Sequence, residues 1–243
     1  MSLSYISEAA APPALTVVFD NEEVVAVAKP AGWLSVPSRI GAADARPCVG
    51  TALSAQLAVR LWPLHRLDEE VAGLMLFART AAAHRELSAD FEARRIGKLY
   101  LARSEGQPPA DAPLGERVRW TCRLLRGKKR AYLHPAGKES ITFATLLRKG
   151  EVLDWRLSPH SGRGHQLRVE LSRRGCPILG DELYGATRPY REPGIALCAV
   201  AIDLGESRAA PRLLLPPRLL LPITAVPASL RDLAHEQRQA EIA

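Results

Sequence analysis

The chain has 243 residues, of which 47% are hydrophobic and 24% charged, with a formal net charge of +7. This length and hydrophobic fraction suit one large domain or two closely packed halves, and the charge favours a polyanionic partner such as nucleic acid or an acidic membrane surface. Four widely spaced cysteines and no apolar run of about 20 residues argue against a disulfide scaffold, a zinc site and a membrane span.

The first part of the chain predicts an arm, a hairpin and a helix. Residues 1–14 are rich in small residues and predict a flexible N-terminal arm. Apolar, β-branched residues at 15–19 and 24–28 flank an acidic turn, which is typical of a β-hairpin. Apolar residues at steps of four then predict a helix that Pro63 ends. Its stripe consists of Val49, Leu53, Leu57 and Leu61.

The middle of the chain predicts a helix between strands. Residues 73–78 form a continuous apolar run, which indicates a buried strand. Thr80 suits the N-cap of a helix that Gly97 ends. The stripe of this helix consists of Ala83, Leu87 and Phe91. Further strands are predicted at residues 98–104, 140–147, 153–158 and 196–204.

Residues 165–173 predict a short helix, and residues 229–242 predict a terminal helix with polar faces. No element is predicted within residues 211–222. Strands outnumber helices and do not alternate regularly with them. This pattern predicts an α+β fold with a mixed, largely antiparallel central sheet flanked by helices and loops.

Two distant segments combine charged side chains with apolar neighbours, and together they point to an enzyme. The first is His65-Arg66-Leu67-Asp68. In an extended segment Arg66 and Asp68 would point the same way, and the cation would keep the carboxylate ionised. An ionised aspartate can act as a nucleophile or a general base. The alternative is a structural ion pair at a strand edge.

The second segment, residues 162–168, contains Arg163, His165 and Arg168. Arg168 could bind a carboxylate or a phosphate through two hydrogen bonds, although a solvated basic turn is the alternative. Tyr100 lies within the predicted strand at 98–104. Such a tyrosine could stack on a base, or it could simply pack in the core.

Residues 117–130 form the strongest basic segment and contain Trp120 but no acidic residue. Its cations are Arg117, Arg119, Arg123, Arg126, Lys128, Lys129 and Arg130. Such a segment suits phosphate contacts with one stacking platform, and a solvated charge run is the alternative. Nucleotide-binding and hydrolase motifs are absent, so we expect no cofactor and no metal. Gly180-Asp181 with Tyr184-Gly185 predicts a tight turn without a chemical role.

Several motifs in order resemble the RluA-type pseudouridine synthases, over about residues 17–222. Residues 24–37 (VVAVAKPAGWLSVP) resemble the first family motif, and residues 65–80 (HRLDEEVAGLMLFART) its signature segment. Residues 98–102 resemble the segment with the active-site tyrosine. Residues 162–185 (GRGHQLRVELSRRGCPILGDELYG) resemble the third motif. The chain departs from the family at Val71-Ala72, Glu170 and Cys198, which puts the subfamily and the substrate in question.

The resemblance implies a role for each candidate residue. Asp68 corresponds to the catalytic aspartate, Arg168 to its charge partner, and Tyr100 to the tyrosine that packs on the target base. Arg66 corresponds to an arginine that occupies the space of the flipped nucleotide. The implied reaction converts uridine to pseudouridine in structured RNA, either large-subunit rRNA or tRNA, without metal or cofactor. A base inside a duplex must first be extruded.

Residues 15–243 are expected to form one catalytic domain. Many relatives carry a small RNA-binding domain in front of it, but the roughly 15 residues before the first motif are too few for one. We expect a monomer in the cytoplasm that binds RNA and no membrane. The RNA-binding residues would be Arg66, Arg163 and His165 with the seven cations of residues 117–130. A rival hypothesis is a non-catalytic RNA-binding protein or RNA chaperone on the same fold. A hydrolase that uses Asp68 as a general base would instead release uracil.

Overall fold

The computed structural model describes residues 14–242, so the predicted arm lies outside the described residues except for Ala14. The strands are β1 (Val17–Asp20), β2 (Val24–Lys29), β3 (Trp62–Pro63), β4 (Ala72–Ala78), β5 (Gly97–Ser104), β6 (Arg117–Arg126), β7 (Ala131–Leu133), β8 (Lys138–Lys149), β9 (Leu153–Pro159), β10 (Leu197–Asp203) and β11 (Arg218–Leu220). The α-helices are α1 (Val49–Gln56), α2 (Ala81–Glu92), α3 (Gln166–Ser172) and α4 (Arg231–Ile242). No described helix is both long and apolar enough to cross a membrane.

All the strands belong to one sheet, with the order β1-β2-β4-β10-β5-β9-β8-β6-β7. The short strand β3 pairs with β4, and β11 pairs with β10. The pair β4–β10 is parallel, whereas the other described pairs are antiparallel. The predicted α+β fold with a mixed, largely antiparallel sheet is therefore confirmed.

The sheet has a hydrophobic core on each face. Alternate residues of β2 enter different cores, since Val25 packs in the core that contains Leu53 of α1, while Val24 packs in the core that contains Leu87 of α2. The first core also contains residues of α3, and the second contains residues of α4. Strand β4 is buried along its whole length. A strand covered on both faces is apolar without alternation, which explains its continuous apolar run.

A glycine at the centre of the sheet sets the spacing between β4 and β10. Gly73 has a φ of +136°, and a Cβ atom there would lie 2.5 Å from the backbone nitrogen of Ala199. Any side chain would therefore push the parallel strands apart. Ala199 is in turn paired with Tyr100 of β5. The close approach at Gly73 brings the chain just before β4 near Tyr100.

Most predicted elements are confirmed, but both early helices end sooner than predicted. Helix α1 ends at Gln56, because Ala58 takes a left-handed φ of 52° and the chain turns to pair β3 with β4. Helix α2 ends at Glu92, before Arg94 at a φ of 60°. Gly97 begins β5 rather than ending the helix. Hydrophobic spacing cannot detect such left-handed turns. The predicted Thr80 N-cap is confirmed by a 3.1 Å hydrogen bond from the backbone N–H of Ala83.

Four strands were not predicted, and one of them is the two-residue strand β3 in place of the end of the first predicted helix. Strands β6 and β7 occupy the basic segment, and β11 lies within the Leu- and Pro-rich segment at residues 211–222. The basic segment does contain a strand signal, since Val118, Trp120, Cys122 and Leu124 recur at every second residue. Strand β11 is too short for a periodic signal and forms by pairing with β10.

Candidate active site

A cleft of about 620 Å³ opens on the sheet beside the N-terminal end of α3. Its walls come from the loop before β4, from β5, from the end of β9 and from the loop before α3. Six of the predicted site residues line it, namely Arg66, Asp68, Tyr100, Arg163, His165 and Arg168. Three segments that are distant in sequence therefore meet in one site.

The loop that carries Asp68 is held by hydrogen bonds on both sides. The Ser35 hydroxyl donates to the Leu67 carbonyl oxygen at 2.6 Å and accepts from the Leu67 N–H at 3.0 Å. The backbone N–H of Gly32 donates to the Glu69 carbonyl at 2.8 Å, and that of Ile195 donates to Glu70 at 3.1 Å. This network fixes the position of the loop before any ligand binds.

Lys29 lies beneath the same loop and is only 2% exposed. Its ammonium donates to the carbonyl oxygens of Pro30, Glu69 and Val71 at 2.8 to 3.0 Å. Burial lowers the pKa of Lys29 to about 8, while the charge of Asp68 and its acidic neighbours acts in the opposite direction. The sequence predicted no role for Lys29. Its three bonds make Lys29 a positioning residue for the Asp68 loop.

The Asp68 carboxylate is close to two basic groups but is not hydrogen-bonded to either. Its oxygens lie 3.6 Å from an Arg168 nitrogen and 3.9 Å from Nε2 of His165. Both distances exceed the usual hydrogen-bond range. Its side chain is 29% exposed towards the cleft. The carboxylate is therefore attracted by the positive charge of Arg168 but remains free to contact a substrate.

Arg168 is buried, and Asp181 is its strongest partner. Two hydrogen bonds of 2.7 Å join the guanidinium to the two Asp181 oxygens. A third, of 3.1 Å, joins it to Glu70. These carboxylates and Asp68 raise the pKa of Arg168, although burial acts against them. The predicted turn at Gly180-Asp181 is present, but the prediction that it has no chemical role is wrong in one respect, because Asp181 orients Arg168.

Tyr100 lies on β5 and is 8% exposed. Burial, with smaller effects from the charge of Asp68 and from Cys198, raises the pKa of its phenol. Among residues 14–242 its hydroxyl has no hydrogen-bond partner. The phenol therefore stays protonated near neutral pH, and the side chain presents an aromatic surface with one donor to the cleft.

His165 precedes α3 in a left-handed conformation, with a φ of 55°. Its Nδ1 lies 2.9 Å from the Tyr184 hydroxyl, which also bonds the backbone of Ala131. Burial lowers the pKa of His165, the Asp68 charge raises it, and the charges of Arg168 and Arg126 lower it further. The imidazole is therefore mainly neutral near pH 7. Such a strained residue persists only where its surroundings hold it in place.

Gln166 fixes the loop that carries Arg163 and His165. Its amide oxygen accepts from the Ser161 hydroxyl at 2.8 Å and from the Arg163 N–H at 3.0 Å. Its amide nitrogen donates to Ile141 and Thr142 of β8, at 2.9 Å each. These hydrogen bonds hold the loop against β8. Nothing in the local pattern indicated this role for Gln166.

The structure does not gather the cations of residues 117–130 into one patch. Strand alternation places Arg117, Arg119 and Arg123 on one face of β6 and Arg126 on the other, with Trp120. Arg126 approaches the cleft, since a nitrogen of its guanidinium lies 3.3 Å from where a Cβ atom of Gly164 would be, and the charge of Arg119 acts on His160 at the cleft wall. The remaining cations, Lys128, Lys129 and Arg130, are exposed in the β6–β7 connection.

Comparison with known proteins agrees with this geometry. The family profile described as RNA pseudouridylate synthase matches residues 23–173. The chain is 32% identical to the dual-specificity RNA pseudouridine synthase RluA of Vibrio vulnificus, over 71% of this chain and 70% of that protein. It is 31% identical to the ribosomal large subunit pseudouridine synthase D of Pseudomonas aeruginosa, over 79% of this chain and 59% of that protein.

A solved structure supports the fold independently. Human RNA pseudouridylate synthase domain containing 4 superposes with a TM-score of 0.67 at 20% identity, and the match covers 91% of this chain and 92% of that one. The profile match covers more than half of the 243 residues, and the Vibrio vulnificus relative is matched over more than two thirds of its length. The chain therefore belongs to the RNA pseudouridylate synthase family, whose members are isomerases.

Proposed function

We propose that Asp68 is the nucleophile of this uridine isomerase, that Arg168 is its charge partner, and that Tyr100 packs on the target base. One observation carries the proposal, namely that these three residues, from separate segments, line one cleft. The Asp68 carboxylate lies within ion-pair distance of Arg168 at 3.6 Å and accepts no hydrogen bond from residues 14–242. An ionised carboxylate that is not already hydrogen-bonded is suited to nucleophilic attack.

The proposed reaction rearranges one nucleotide and releases nothing. The bond between ribose C1′ and uracil N1 breaks, the uracil turns within the cleft, and a bond forms between C1′ and C5. The hydrogen on C5 leaves as a proton, and N1 gains one. Asp68 attacks either the sugar or the uracil ring, and in both routes it is released when the new bond is complete. The aromatic surface of Tyr100 would support the base while it turns.

We further propose that the substrate is structured RNA, either large-subunit rRNA or tRNA or both. The printed names of the relatives support this, since one is a dual-specificity RNA enzyme and another a ribosomal large subunit enzyme. Residues 15–243 would act as one catalytic domain, and as a monomer in the cytoplasm. RNA contacts would come from Arg66, Arg163 and His165 in the cleft and from the cations of residues 117–130 outside it.

The test is pseudouridine mapping of total RNA from cells with the gene, without it, and with Asp68→Ala. We expect at least one site to disappear on deletion, to return with the wild-type gene, and to stay absent with Asp68→Ala. Purified Asp68→Ala should bind RNA within a few-fold of the wild type, because the exchange removes the nucleophile but none of the cations. If binding and product formation were lost together, the nucleophile assignment would fail. Release of free uracil by the wild type would indicate a hydrolase instead.

A further inference from the structure

We propose that Lys98 forms an anion-binding subsite in the cleft that takes a backbone phosphate of the RNA strand carrying the target uridine. The inference deepens the proposed function and rests on it, because the subsite is placed relative to Tyr100. Lys98 and Tyr100 are two residues apart on β5. Their side chains therefore leave the same face of the strand, with Cα atoms roughly 7 Å apart. A base packed on Tyr100 would have its sugar and phosphate near this ammonium.

The Lys98 ammonium has no internal partner. Among residues 14–242, no hydrogen bond or ion pair involves its Nζ atom. Lys29, which is also buried beside the site, instead donates three hydrogen bonds to carbonyl oxygens. Burial alone lowers the pKa of Lys98 to about 8, so the group remains mainly charged at neutral pH. A partly desolvated cation without an acceptor is costly, and binding an anion would remove that cost.

Lys98 lines the open cleft beside Gly162 and His65. A Cβ atom on Gly162 would lie 3.6 Å from Nζ, and Gly162 itself is exposed at the cleft wall. The nearby ring of His65 accepts the Leu76 N–H through Nε2 at 3.1 Å, so its proton is on Nδ1. That Nδ1 is buried and has no partner among the described residues. A second donor without a partner therefore lies near Lys98, behind the surface of the cleft.

The charges around this end of the cleft are mostly positive. The pKa of His160 is lowered by burial and by the charges of Arg94, Arg119 and Lys98, and only Glu139 opposes this. Glu139 lies 3.8 Å from Arg94, which is a weak contact at the surface. An excess of cations around an unpaired ammonium suits a phosphate rather than a neutral ligand.

The test compares Lys98→Met, Lys98→Arg and the control Lys149→Met, each with Asp68→Ala to prevent turnover. Lys149 is exposed at the far end of β8, so its variant loses the same charge outside the cleft. Equilibrium binding to unfractionated tRNA is measured over a range of salt concentrations, because phosphate contacts do not depend on base sequence.

We expect Lys98→Met to weaken binding about tenfold. The salt dependence should flatten by about 0.7 to 0.9 units. Lys98→Arg should retain both properties.

Thermal unfolding separates this role from a structural one. Replacement of an unpaired, half-buried cation by methionine should leave the melting temperature unchanged or raise it, whereas loss of a structural lysine would lower it. Equal affinities and salt slopes for Lys98→Met and Lys149→Met would overturn the proposal, as would a lower melting temperature with an unchanged slope. Stabilisation by inorganic phosphate with an unchanged RNA slope would mark a free-anion site and overturn the RNA assignment.

The two proposals can fail separately. If the wild type makes no pseudouridine but Lys98→Met still flattens the salt slope, the isomerase assignment fails and the phosphate subsite stands. If the wild type makes pseudouridine and the Lys98 and Lys149 variants bind alike, only the subsite fails.

Discussion

Three carboxylates lie near the Arg168 guanidinium, at different distances from it. Asp181 is 1% exposed and accepts two short hydrogen bonds, Glu70 accepts one, and Asp68 lies 3.6 Å away. The arginine is therefore oriented by Asp181 and not by the proposed nucleophile. A guanidinium fixed in this way can attract Asp68 without forming a hydrogen bond to its oxygens. This division of roles leaves the carboxylate of Asp68 available to a substrate.

At the residue scale, we expect Asp181→Asn to lower the free energy of unfolding by about 3 to 5 kcal/mol, because it leaves a buried arginine without its main partner. Pseudouridine formation should fall with it, since Arg168 would no longer be oriented. The matched control is Glu70→Gln, because the Glu70 side chain is 40% exposed and its contact is longer. Urea unfolding and product assays on both variants check this. Equal losses of stability would show that Asp181 has no special part in holding Arg168.

At the element scale, β6 divides a run of cations between the two faces of the sheet. The segment was predicted to act as one phosphate-binding surface. Strand geometry instead places Arg126 and Arg119 on opposite faces of β6, while Lys128 and Lys129 extend beyond the strand end. These lysines make no hydrogen bond or ion pair with residues 14–242. They are therefore open to contact by RNA.

Neutralising Lys128 and Lys129 together, by Lys128→Gln and Lys129→Gln, should flatten the dependence of log affinity on log salt by roughly one to two units. The physical reason is that each phosphate contact releases a counterion. Lys149→Gln with Arg208→Gln is the control, since both residues are exposed, neither pairs with β6, and the charge change is the same. Fluorescence binding to tRNA at several salt concentrations gives the slopes. The same slope in the two double variants would exclude the connection from the RNA interface.

At the scale of the whole molecule, the buried Lys29 and the half-buried Lys98 link stability to pH. Burial lowers the pKa of both Lys29 and Lys98 to about 8, compared with 10.5 in the unfolded chain. Between these values the unfolded chain binds more protons than the folded one. The free energy of unfolding contributed by each lysine should therefore rise with pH from about 8 to about 10. At higher pH, ionisation of Tyr100 in the unfolded chain acts in the opposite direction.

We expect Lys98→Met to remove part of this rise, by up to about 3 kcal/mol between pH 8 and pH 10. Below pH 8 the variant should be at least as stable as the wild type, and the difference should shrink as the pH approaches 10. Chemical unfolding at a series of pH values measures the effect. Lys149→Met, which removes an exposed lysine, should follow the wild-type curve. A parallel curve for Lys98→Met would show that the ammonium is better solvated than its burial implies.

The sequence by itself determined the elements with a clear period, the class of fold, the family and the residues named for chemistry. The buried run of β4 and the stripe of α2 are local signals, and Asp68 and Arg168 stand in motifs that can be read without a structure. The tertiary structure alone decided that Asp181 is the main partner of Arg168, that Lys29 and Gln166 fix the site loops, and that β6 divides its cations. The physical reason is that periodicity reports only which side of one element faces the core. Partners across distant segments depend on strand order and on the close approach of β10 at Gly73, which no local window contains.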